Sequence, residues 1–90
     1  MEHRSITKSE IKEIKELVNS AITAHSKEVA KPYIRKLKFI LSSVAMEIKP
    51  TAYNVLGEVI SYASEASGQV QQKEHWISCV NSSMYKLEIL

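Results

Sequence analysis

AYNVLGEVISYASEASGQVQQKEHWISCVNSSMYKL, Ala52 to Leu87, is the segment on which the architecture of this chain turns. Within it Ala52, Leu56, Val59, Ala63, Ala66, Val70, Lys73, Ile77, Val80, Met84 and Leu87 follow one another at steps of four and three without a slip. Such a rhythm lays one seam along α-helix and has no counterpart in the two-residue repeat of a strand. Lys73 is its one charged member. The rhythm leaves open whether the seam lies on one long helix or on two. Gly68 is the usual residue type just past a helix end, yet Gly57 and Gly68 both fall on the polar side, where a glycine costs only about 1 kcal/mol. Two helices joined near Gly68 give a small four-helix domain. One unbroken C-terminal helix gives a long helical hairpin that has to dimerise through helix packing. A terminal strand at YKLEIL, residues 85–90, is the remaining alternative.

The rest of the chain also favours helix. There are two Gly and two Pro, and every acidic residue is Glu. Glu tolerates helical backbone, whereas Asp competes with it through its own side chain. The first helix starts at ITKSEI, residues 6–11, where Thr7 and Glu10 have capping-box spacing and Ile6 and Ile11 are placed as a hydrophobic staple. Ile11, Ile14, Val18, Ala21, Ile22, His25 and Val29 then share one side, with Leu17 at its edge. Because Lys31 precedes Pro32, this helix is expected to end near residue 29. The second helix is expected over 32–49, with Ile34, Leu37, Ile40, Leu41, Val44 and Ile48 on one broad face and Phe39 and Met46 on another. Pro50 stops it, and Thr51 is the expected cap of the third helix. The remaining helices are expected near 52–67 and 69–88. The fold class is therefore all-α, a single domain over residues 1–90, and a chain this short gains from self-association.

Net charge is only +2, but it is unevenly placed. Residues 1–49 hold ten Lys/Arg against six Glu, and residues 50–90 hold two Lys against four Glu. The basic residues concentrate in KPYIRKLKFIL, residues 31–41. On a helical projection Lys27, Lys31, Arg35, Lys38 and Lys49 share an arc of about 80° beside the apolar face, while Lys36 lies apart. The plainer reading is a solvated edge whose lysine stems cover apolar core. The sharper one is a strip that contacts nucleic-acid phosphates, with Tyr33 or Phe39 as a stacking surface. The small net charge, the two arginines and the lack of helix-turn-helix spacing or a basic tail weigh against the sharper reading. Binding to an acidic membrane surface is a third, weaker reading, since the apolar face is needed inside the fold.

Catalytic patterns are scarce. Without Asp there is no Ser–His–Asp or paired-Asp arrangement. His75 and Cys79 stand at i, i+4, a workable spacing for two metal ligands, but structural zinc needs four and no further ligand motif accompanies them. Nothing evident orients an activated Cys79 thiol. His25 is expected to be a core histidine. Trp76 serves either as core or as a contact at a protein interface. Tyr53, Tyr62 and Tyr85 form no cluster by spacing, and no glycine-rich phosphate loop is present.

The chain is thus expected to be a non-enzymatic regulatory or inhibitory protein that binds another protein through helical surfaces. Phe39, Met46, Trp76 and the 52–87 seam are the candidate contacts, and a homodimer is the expected assembly. No cofactor and no metal are called for. The alternative is a nucleic-acid-binding regulator using Lys27, Lys31, Arg35, Lys38 and Lys49. The single Cys79, and the lack of an apolar signal core or of a run near the ~18 residues of a membrane span, point to a cytoplasmic setting.

Overall fold

The computed structural model describes residues 3–67 and 71–90. It divides the 52–87 stretch and gives four helices: α1 (Lys8–Thr23), α2 (Lys27–Val44), α3 (Pro50–Ala66) and α4 (Lys73–Ile89). Residues 85–89 are helical, so the YKLEIL segment is no strand. Gly68 and Val70, on which the break and one step of the seam were expected to fall, lie outside the described residues.

The expected capping box forms. The Glu10 N–H donates to Thr7 Oγ1 at 3.1 Å, and the Thr7 N–H donates to Glu10 Oε1 at 2.9 Å. Ile6 and Ile11 both pack, half-buried, against the core.

The expected end of α1 is corrected. The helix stops at Thr23, where Ala24 takes extended backbone and Ser26 opens α2 by accepting the Val29 N–H at 3.2 Å. A serine cap six residues upstream of Pro32 overrides the stop expected at the proline. Pro32 is then the sixth residue of α2, on its exposed side, where it removes one backbone hydrogen bond without ending the helix. The expected α1 face loses two members as a result. His25 is exposed in the turn instead of buried in the core, and Val29 is exposed on α2.

The other end of α2 is corrected as well, from residue 49 back to Val44. Residues 45–47 turn, and Ile48, almost fully buried, forms a single parallel bridge with Arg4 of the N-terminal arm. The Arg4 N–H donates to the Glu47 carbonyl at 2.8 Å. Lys49, restricted by Pro50, is extended and is the N-cap of α3 with Pro50 in its first turn, so the cap is not Thr51.

Packing centres on α3, which touches α1, α2 and α4; α2 and α4 have no packing contact. Ala52, Leu56, Val59, Ile60, Ala63 and Ala66 are buried on α3, facing Val80, Ser83, Met84 and Leu87 of α4 and Ile14, Val18 and Ala21 of α1. Of the 52–87 seam, Ala52, Leu56, Val59, Ala63, Ala66, Val80, Met84 and Leu87 are buried within the chain.

Candidate functional site

The side of α2 that turns away from the core gathers most of the residues singled out from the sequence. Ala30, Ile34, Leu37 and Val44 are buried, with α1 on one flank and α3 on the other. Lys27, Lys31, Arg35 and Phe39 follow at four-residue steps, which on an α-helix form one inclined ridge. Starting α2 at Lys27 brings that lysine into register with the others. Lys27, Lys31 and Lys38, with Glu28, Ile34, Ser64 and Ser67, line a groove of about 380 Å³ between α2 and the end of α3. Ser67 is buried but satisfied, its Oγ donating to the Ser64 carbonyl at 2.7 Å. Arg35 is exposed one turn before Phe39. Lys49 does not line the groove, having left the helix to begin α3, and its expected place in the stripe is corrected.

The ion pairs among the described residues are Arg4–Glu10, Arg4–Glu47 and Lys15–Glu88, and none uses a cation of α2. The ridge accordingly presents its positive charges to solvent.

Phe39 and Met46 are the most exposed large apolar side chains among the described residues, at 73% and 78%. Phe39 stands on the outer side of α2 and Met46 in the turn that follows it. A second, smaller groove of about 210 Å³ between α1 and α2 is lined by Glu10, Glu13, Phe39, Ile40, Ser43 and Val44. Phe39 is thus bordered by cations toward α3 and by the Glu13 carboxylate toward α1.

Trp76 is not brought to this surface. It lies half-buried on α4, with ring centroids 6.0 Å from Tyr62 and 5.1 Å from His75. Its neighbour Tyr62 packs against the core, so Trp76 covers the α3–α4 pair from outside. Cys79 Sγ and His75 Nε2 are 3.9 Å apart on the same helix. Among the described residues no group of three His, Cys or Glu side chains is placed to hold a metal ion. No helix there is long and apolar enough to cross a membrane.

The chain matches no protein-family model, no curated protein and no solved structure.

One arrangement escapes sequence reasoning altogether. Arg4 donates to both Glu10 carboxylate oxygens, at 2.7 and 2.9 Å, and to Glu47 at 3.3 Å. The Arg4 guanidinium and the Thr7 N–H together hold the Glu10 carboxyl down at about 2, because both donors favour the charged form. No local pattern announces a contact between residues 43 positions apart. The only hint is that Glu10, already engaged by its capping box, has lone pairs left to accept from an arginine.

Proposed function

We propose that this chain is a non-enzymatic regulatory or inhibitory protein that binds another protein through the outer side of α2, with Phe39 and Met46 as anchors. The observation that carries the reading is the exposure of Phe39 on a helix whose opposite face is already committed to the core, and of Met46 in the turn that follows that helix. Covering a side chain of this size contributes about 1.5–3 kcal/mol, and large apolar side chains surrounded by polar neighbours form the usual centre of a binding patch. Trp76 lies on α4, away from this surface, and packs on Tyr62. The free thiol of Cys79 is in keeping with a reducing, cytoplasmic setting.

A second reading, a nucleic-acid-binding regulator, is favoured by the groove that collects Lys27, Lys31 and Lys38. Affinity capture from native-host extract, with and without nuclease, separates the two. The protein-binding reading expects a nuclease-resistant partner that is lost with the Phe39→Ala/Met46→Ala double variant. Nuclease-sensitive capture, abolished instead by reversing Lys31, Arg35 and Lys38 to Glu, replaces it with the second reading.

A further inference from the structure

We infer that the segment bound by α2 is an acidic amphipathic helix, with carboxylates at one end and an apolar cluster at the other; this rests on the protein-binding reading above. The inference comes from the order of chemistry along the surface. The ridge begins with Lys27 and Lys31, passes through Arg35 and reaches Phe39, after which the chain continues to Met46. Positive charge lies at one end and apolar side chains at the other. At about 1.5 Å of rise per residue the cationic part and Phe39 span roughly 18 Å, a length that a partner helix of four to five turns covers with Met46 included.

Charge complementarity selects the occupant. Lys27, Lys31, Arg35 and Lys38 take part in none of the ion pairs among the described residues, and three of the four line one groove. Neighbouring like charges on a helix repel by a few tenths of a kcal/mol per pair, a cost that approaching carboxylates relieve. Glu28, Ile34, Ser64 and Ser67 complete that groove, whose three lysines outnumber its one carboxylate. A second copy of this chain fits poorly, because two α2 ridges facing one another across a two-fold axis bring like charges together. A phosphate backbone offers partners to the lysines but leaves Met46 uncovered and meets Glu13 beside Phe39. An acidic lipid surface meets the same carboxylate.

The test uses the full chain, isotope-labelled, and follows backbone amide shifts during titration. The probes are a helical peptide of roughly 18 residues, five turns, with Glu in one half and Leu and Phe in the other; the same peptide with Glu replaced by Lys; a short DNA duplex; and vesicles rich in anionic phospholipid. The acidic peptide is expected to shift residues 27–46 and to bind roughly tenfold more weakly to Lys31→Gln/Lys38→Gln. It should bind still more weakly to Phe39→Ala/Met46→Ala, whose exposed sites leave the fold intact by circular dichroism. Equal binding of both peptides through Phe39 and Met46 overturns the acidic partner while leaving the protein-binding reading standing. Shifts with duplex or vesicles but with neither peptide overturn both. An absence of shifts with any probe overturns the acidic partner.

Discussion

Helices α2 and α3 are neighbours of almost equal length, 18 and 17 residues, and they have divided the work of the molecule between them. α3 carries two charged residues, Glu58 and Glu65, and buries six side chains among α1, α2 and α4. α2 carries six charged residues, buries four side chains and leaves one side uncovered. A helix surrounded on three sides can vary little without opening a cavity. A helix packed on one side keeps a surface whose chemistry is free to serve something other than folding. That contrast is why the candidate site is assigned to α2 and the seam to stability.

Paired truncations challenge the contrast most directly. Leu56→Ala, at a fully buried position of α3, is expected to cost about 3 kcal/mol in urea denaturation. Phe39→Ala on the outer side of α2 is expected to stay within about 0.5 kcal/mol of the parent. Comparable losses at the two sites show that Phe39 is structural and remove the basis for the site.

Gly57 offers a finer probe of α3. A Cβ built there meets nothing within 4 Å, so Gly57→Ala should raise stability by about 0.5–1 kcal/mol through helix propensity alone. A loss in the same denaturation assay reveals a neighbour pressed against that position.

A weaker effect separates the two halves of the molecule under acid. The α1–α2 half is tied to the N-terminal arm by Arg4 and Glu10, whereas the α3–α4 pair is held by apolar contact and one hydrogen bond, from Ser83 Oγ to Glu58 Oε2 at 3.4 Å. Glu10 titrates near 2 in the folded chain, below the ordinary glutamate value of about 4.3. Its contribution is therefore complete above the ordinary value and is lost as pH falls toward 2. Glu10→Gln should flatten the decline in urea midpoint between about pH 5 and pH 2. A decline as steep as the parent's excludes this carboxylate as a source of it.

Legibility depends on how local each signal is. The Thr7–Glu10 box lies within four residues, and both of its hydrogen bonds form. The same holds for the steps of the seam within α3 and within α4, each a single helical turn. The helix ends at 23–27 and 44–50 differ from expectation because a local rule acts there against a stronger neighbour. Pro32 marks a boundary that the Ser26 cap has already set, and a continuation of α2 to Lys49 conflicts with the burial of Ile48 beside Arg4. His25 loses its core place for the same reason.

The candidate site is legible in pieces: Lys27, Lys31, Arg35, Lys38, Phe39 and Met46 stand out by spacing and type. The surface shared by Lys27, Lys31, Arg35, Lys38 and Phe39 is not legible, because it depends on which sides of α2 the neighbours α1 and α3 occupy. Trp76 and Lys49 have equal claims in the sequence, and packing places them elsewhere, on α4 and at the start of α3.

That this chain is helical, and where its apolar sides run, was settled by the order of its residues, because the spacing of side chains along a backbone with 3.6 residues per turn is a property of the chain alone. Packing in three dimensions was needed to establish that the seam of residues 52–87 folds back on itself and that the ridge of α2 stays uncovered. The reason is that burial is shared between elements: a face is solvent-exposed only by virtue of what fails to pack on it.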